Sequence, residues 1–199
     1  MTKRIGIINY GAGNLLSVKN AFERINCKTS FINSSFCDKS FDILVLPGVG
    51  SFGEVMNNLY KQKLFSDINN FFYLKKTIIG ICLGMHLMFE ESEESRGEKG
   101  FGWLKGKVEK LRSTKMPNVG WNLIRKKEKQ NQKFKKFCLN KFFYFDHNYF
   151  IHEKSMYTLA KSNKIASLVQ KNNLIGTQFH PEKSGEDGLK FLEFIVKEF

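Results

Sequence analysis

The run Thr77-Ile78-Ile79-Gly80-Ile81-Cys82-Leu83-Gly84-Met85-His86-Leu87-Met88-Phe89-Glu90 constrains this chain more than any other stretch. It opens as a β-branched apolar segment, which reads as a buried strand, and continues with Leu and Met at helix-compatible spacing. Between the two lies a cysteine with glycine two residues away on either side. That is the spacing of a nucleophile elbow, G-x-S-x-G with sulfur in place of oxygen. A turn that sharp crowds the backbone two residues from its apex, where a side chain would clash. Cys82 would project from a strand end at the N-terminus of a helix. The dipole and free N–H groups there favour the thiolate, the reactive form, and the Leu83 N–H would be placed to donate to an oxyanion. A buried core cysteine is the competing reading of the same residue.

Composition narrows the class. At 199 residues, 42% hydrophobic and 26% charged, the chain suits a single soluble domain, 1–199, with a full core. The longest apolar run, around Ile78 to Phe89, contains His86 and is too short for a membrane span. The start Met1-Thr2-Lys3-Arg4 leads into no sustained apolar region or cleavage site, so no signal peptide is expected. Cys27, Cys37, Cys82 and Cys138 lack C-x-x-C spacing, which predicts reduced thiols in a cytoplasm and no zinc site. A net charge of +13 admits nucleic acid, an anionic substrate or an acidic partner. Much of it is local: Arg125 to Lys136 holds seven basic residues and one acidic. That segment reads as a solvated hairpin or loop, with a binding patch as the lesser reading.

Strands and helices alternate along the first half. Arg4 to Asn9 is a buried strand, followed by the turn Tyr10-Gly11-Ala12-Gly13-Asn14 and a helix from Leu15 to Ile25. The turn lacks the third glycine and the G-K-[ST] of nucleotide loops, so a phosphate site there is the weaker reading. Strands at Thr29 to Ile32 and Phe41 to Leu46 follow. The second ends in Pro47-Gly48-Val49-Gly50-Ser51-Phe52-Gly53, a flexible backbone at the edge where open α/β sheets bind ligands. Helices over Glu54 to Tyr60 and Leu64 to Tyr73 lead to the cysteine strand. This alternation predicts an α/β fold, a mostly parallel open sheet with helices on both faces. Beyond the elbow, Glu90, Glu91, Glu93 and Glu94 read as a solvated helix end, and Met116 to Asn122 as a turn. Short strands at Phe142–Tyr149, Met156–Lys161, Ile165–Gln170 and Leu174–Phe179 predict an antiparallel extension. A helix over Asp187 to Lys197 closes the chain.

His180-Pro181-Glu182 follows directly on the last of those strands. A thiol nucleophile needs a base to take its proton and a carboxylate to orient the base. Cys82, His180 and Glu182 supply these roles in that order. His147 and His152 lack such a partner pattern and read as structural or surface residues.

With these residues in hand the chain resembles the class I (triad) glutamine amidotransferases, and among them the histidine-pathway glutaminase subunits of imidazole glycerol phosphate synthase. The resemblance rests on Asn9-Tyr10-Gly11-Ala12-Gly13-Asn14-Leu15, Pro47 to Gly53, Gly80 to Met85, Gly120-Trp121-Asn122 and Gln178 to Gly185, which together span nearly the whole chain. It implies a flavodoxin-like sheet and no metal or organic cofactor. It also implies attack by Cys82 on the carboxamide of L-glutamine, with His180 shuttling protons and Glu182 holding its imidazole. Val49, Gly50 and Leu83 would serve the oxyanion, and Gly50, His86, Glu94, Asn148 and Tyr149 would bind glutamine. Asn14, Asn118, Trp121 and Lys183 would face a (β/α)8-barrel cyclase subunit in a heterodimer, with neither nucleic acid nor membrane involved. Two positions depart from the family pattern. His86 stands where glutamine is usual, and Asn118 where histidine is usual. They leave room for a sister subunit that feeds ammonia to a related barrel for amidination of a surface sugar. A basic binding module with a vestigial triad is the alternative from another class.

Overall fold

Four runs of apolar residues are buried along all or nearly all of their length, and they form the middle of one sheet. They are β1 (Arg4–Ile8), β3 (Ile43–Leu46), β4 (Thr77–Ile81) and β12 (Leu174–Thr177). The computed structural model describes residues 2–11, 14–48, 50–112, 117–127, 132–135, 137 and 140–199. A more polar strand, β2 (Lys28–Ile32), takes the outer edge, where only Ile32 is buried. These five strands run parallel in the order β2-β1-β3-β4-β12. That is the flavodoxin-like order, with β12 in fifth place. The sheet then continues antiparallel through β11 (Ile165–Lys171), β10 (Thr158–Ser162), β7 (Asn118–Lys126) and β8 (Lys141–His147). The expected antiparallel extension is therefore present.

Alternation along the strands sends apolar side chains to both faces. Ile43 and Val45 of β3 share a cluster with Phe22 of α1 (Leu15–Arg24) and with Phe191 and Leu192 of α6 (Gly185–Glu198). Leu44 and Leu46 share one with Met56 and Leu59 of α2 (Phe52–Lys61) and Ile68 and Phe71 of α3 (Leu64–Tyr73). Two hydrophobic layers thus hold the sheet between helices, which leaves its strand ends as the open ground for a site. No helix among the described residues is long and apolar enough to cross a membrane.

Three sequence expectations are corrected. The elbow helix α4 is a single turn, Leu83–His86, and the chain then enters a strand, β5 (Phe89–Ser92). The glutamates that follow are consequently not a helix end. Glu90 accepts from the Gly106 N–H, Glu93 from the Lys110 N–H and Glu94 from the Phe52 N–H. β5 joins β6 (Leu104–Lys110) and β9 (Tyr149–Phe150) in a small second sheet. β6 gave no periodic signal because only Leu104 and Val108 of it are buried. Asn118 to Asn122, expected as part of a turn, belongs to β7 and pairs with β8 from Asn118↔His147 onward. Met116, the start of that expected turn, lies outside the described residues, as do Ala12, Gly13, Val49 and Cys138. Of the basic segment, Arg125 and Lys126 close β7 and Gln132–Lys135 form a short helix, α5, on the way to β8. A hairpin connection is what the described residues show there.

Candidate active site

Cys82 caps the one-turn helix at φ 47° and ψ −106°, a conformation rarely adopted by a residue with a side chain. Holding it there costs about 1–3 kcal/mol, which the surrounding backbone must offset. Two glycines make that backbone possible. A Cβ on Gly84 would sit 2.0 Å from the Leu46 carbonyl oxygen, and one on Gly80 would sit 2.6 Å from the carbonyl of Gly84. Both obstacles are main chain and cannot swing aside. The Cys82 N–H is fixed to the Thr177 carbonyl at 2.6 Å. Leu83, as the first residue of the turn, has no intrahelical acceptor for its own N–H.

That Thr177 contact ties Cys82 to β12, whose pairing with β4 sets Thr177 opposite Ile81. The chain leaves β12 through Gln178 and Phe179, so His180 arrives beside the cysteine. His180 is itself anchored on both sides: its N–H donates to the Tyr144 carbonyl at 2.8 Å, and its carbonyl accepts from Ser184 Oγ at 2.6 Å. Its ring donates through Nδ1 to Glu182 Oε1 at 2.7 Å, with both side chains buried. Burial pulls the imidazole pKa down. The hydrogen bonds to Cys82 and Glu182, and the charges of both, outweigh it and carry the value up to about 10. An opposite charge at hydrogen-bond range stabilises the charged base in this way. Among the described residues Glu182 Oε2 has no hydrogen-bond partner.

Cys82 and His180 open into a cavity of about 250 Å³. Of the residues expected to bind glutamine or an oxyanion, Gly50, Leu83, His86, Glu94, Asn148 and Tyr149 all line it. Val49 lies outside the described residues. Gly48 passes so close that a Cβ there would be 2.9 Å from Cys82 Cβ and 3.0 Å from His180 Cε1. Gly50 adopts φ +106°, which a residue with a side chain adopts only under strain. The buried Tyr10 hydroxyl donates to the Pro47 carbonyl at the start of this glycine segment. Burial and then the charge of Cys82 push the Tyr10 phenol well above its usual range.

Two more histidines stand in the wall. His86 Nε2 lies 3.0 Å from Gln178 Oε1, and Gln178 Nε2 lies 3.5 Å from Cys82 Sγ. Burial drives His86 down to about 4, against the bond from Gln178 and with the help of nearby His147. His147 is held by Asn118, whose Nδ2 donates to its Nε2 at 2.8 Å, while its Nδ1 donates to the Tyr149 carbonyl at 2.9 Å. It too falls to about 4, first through burial. Both rings are therefore neutral beside a charged His180. Sequence reasoning passed over His147 and Gln178 as site residues. Each carried a signal. His147 continues the inward alternation of Phe143 and Phe145 along β8, and Gln178 stands directly after the buried strand β12, two residues before His180.

The remaining expected positions divide. Glu94 faces the cavity while its Oε2 accepts the Phe52 N–H at 2.9 Å, so it also caps α2; burial raises its carboxyl. Lys183 borders the cavity mouth, 3.9 Å from Asp146 and over the Tyr144 ring. Trp121 is 55% exposed and packs edge-on against Tyr144. Asn14 is exposed and caps α1, accepting the Ser17 N–H at 3.1 Å. Among the described residues no group of three or more His, Cys, Asp or Glu side chains is arranged to hold a metal ion.

Known proteins share this arrangement of sequence. A family sequence model described as glutamine amidotransferase class-I matches residues 6–197. The imidazole glycerol phosphate synthase subunit HisH of Methanocaldococcus jannaschii is 40% identical over 199 residues, covering 97% of this chain and 98% of its own length. The HisH subunit of Helicobacter hepaticus is 38% identical over 214 residues, covering 95% of each. Among solved structures, PurLQS from Thermotoga maritima aligns with a TM-score of 0.78 at 19% identity, covering 99% of both chains. That last likeness bears on the fold alone.

Proposed function

Because the chain belongs to the class-I glutamine amidotransferases, and within them to the HisH subunits of imidazole glycerol phosphate synthase, we propose that it hydrolyses L-glutamine and passes the ammonia to a cyclase subunit. Residues 1–199 act as one glutamine amidotransferase domain in this reading. The observation that carries it is that Cys82 and His180 line one cavity, with the buried Glu182 carboxylate 2.7 Å from His180 Nδ1.

The chemistry follows from that alignment. With the proton of Cys82 already held on His180, the sulfur adds as a thiolate to the carboxamide carbon of glutamine. The oxyanion that forms is met by the Leu83 N–H and by the segment carrying Val49 and Gly50, each donor contributing roughly 3 kcal/mol. His180 then returns the proton to the departing nitrogen, which leaves as ammonia, and a γ-glutamyl thioester remains on Cys82. A water molecule that loses its proton to His180 adds to the thioester. Collapse of this second adduct frees glutamate and restores the thiolate beside protonated His180. Glu182 keeps Nδ1–H of His180 donating, so that Nε2 faces the sulfur throughout. Glu94, Asn148 and Tyr149 supply cavity wall around the substrate.

The partner is a (β/α)8-barrel cyclase in the same reading, docked over Trp121 and Lys183 with Asn14 and Asn118 nearby, in the cytoplasm. Free ammonia is protonated in water, so a channelled enzyme gains by staying slow until its acceptor is loaded. The positive φ of Gly50 supports a glycine segment able to reorient a peptide at little steric cost. Glutamate release measured for the chain alone, and with its cyclase carrying the ribotide substrate, tests the proposal. Strong stimulation is expected, and equal rates would remove the coupling. A Cys82→Ala chain that still releases glutamate would remove the mechanism.

A further inference from the structure

We propose that His86 and Gln178 form a positioning pair for the nucleophile, in which His86 orients the Gln178 carboxamide so that its nitrogen, rather than its oxygen, meets Cys82 Sγ. The proposal rests on the glutaminase reading of Cys82; it gives His86 work other than the glutamine contact expected of it, and Gln178 work that reading leaves unassigned.

A carboxamide is unsymmetric: its oxygen only accepts and its nitrogen only donates. Gln178 is completely buried, so the side chains around it settle which end points where. With Oε1 3.0 Å from His86 Nε2, the ring must donate there, which places N–H on Nε2 of a neutral imidazole. The other end of the amide, Nε2, then faces Cys82 Sγ at 3.5 Å. Had the ring carried its proton on the other nitrogen, its Nε2 would accept. The amide would then turn over and set a carbonyl oxygen against the sulfur.

The direction matters because of what else surrounds Sγ. The Asp146 carbonyl oxygen lies 3.7 Å away and can accept only from a protonated sulfur. With the proton on His180, that oxygen faces a thiolate and offers it nothing. The Gln178 N–H is a donor to the thiolate, and a hydrogen bond to an ionised acceptor is about twice as strong as a neutral one. It also holds the sulfur in place for attack. His86 borders the cavity, yet its Nε2 is already committed to Gln178. Its influence on turnover runs through the sulfur.

The test reads the thiolate directly. Rates of Cys82 alkylation by iodoacetamide at pH 7.5 are compared for wild type, His86→Leu, His86→Gln, Gln178→Met and the double variant His86→Leu/Gln178→Met. kcat and KM for glutamine are measured alongside. We expect His86→Leu and Gln178→Met each to slow alkylation and lower kcat by about tenfold, with KM within about twofold. The double variant should be no worse than the slower single, since both changes break one linkage. His86→Gln, which keeps a donor, should stay within about threefold of wild type. If His86→Leu does not fold, Gln178→Met and His86→Gln decide between them. A rise in KM with kcat and alkylation intact would overturn the pair. So would wild-type alkylation by Gln178→Met, multiplying effects in the double variant, or His86→Gln as slow as His86→Leu. Alkylation needs neither glutamine nor the partner. A chain that alkylates as expected but releases no glutamate would therefore sink the glutaminase reading and leave the pair standing.

Discussion

Exchanging Glu182 for glutamine removes one charge and almost nothing else, which makes it the sharpest probe of how His180 is tuned. The carboxylate accepts from His180 Nδ1 at 2.7 Å with both groups buried, and its second oxygen has no partner among the described residues. In Glu182→Gln the amide oxygen takes the place of Oε1, because the charged ring needs an acceptor. The amide nitrogen then falls where Oε2 was unpartnered. A charge-assisted hydrogen bond contributes about 1.5–3 kcal/mol and a neutral one about 0.5–1.5. The loss is therefore about 1–2 kcal/mol, which lowers kcat by roughly 5- to 30-fold. The same energy is about one pKa unit at His180. The intact site holds His180 at about 10 through Cys82 and Glu182 against burial. Burial gains ground when the charge is gone, so the alkaline fall of activity should move down by about one unit. Glutamate release at saturating glutamine, recorded from pH 6 to 11 with the cyclase present, reads both quantities. A Glu182→Gln enzyme with kcat within threefold of wild type and an unmoved alkaline limb would refute the argument. An amide nitrogen left unpaired in the core should also lower stability by about 1–3 kcal/mol in urea unfolding.

Cys82→Ala should abolish glutamate release while the urea midpoint stays near wild type, since the side chain removed is small. Gly84→Ala should destabilise the chain by at least about 3 kcal/mol or prevent folding, because its Cβ meets the Leu46 carbonyl at 2.0 Å; a normal midpoint would contradict the elbow geometry. Stability should peak near pH 6.5. His86 and His147, both lowered to about 4, contribute stability that is present above 6.5 and lost as pH falls through 4, about 3 kcal/mol each. His180, raised to about 10, contributes stability that is complete below 6.5 and lost as pH rises through 10; urea unfolding across that range checks both slopes. Trp121→Ala and Lys183→Ala should blunt stimulation by the loaded cyclase with little effect on the chain alone, as Trp121 is 55% exposed and Lys183 is only loosely paired with Asp146.

The sequence alone determined what depends on neighbours along the chain. Apolar runs such as Ile43–Leu46 and Thr77–Ile81 declared buried parallel strands, because side chains on both faces of such a strand must leave water. Gly80 and Gly84 declared a turn too tight for side chains, and His180-Pro181-Glu182 a base with its carboxylate, since each spans only a few residues. Tertiary structure alone decided which distant segments meet. The placement of β12 beside β4 brings Thr177 and His180 to Cys82 across nearly a hundred residues of chain, and no local pattern encodes that adjacency. β6 escaped notice because a strand with two buried residues in seven has no period to read. Asn118 steadies His147, and His86 engages Gln178, for a similar reason. A buried polar group must find a partner wherever packing provides one. Packing is settled by the whole sheet at once.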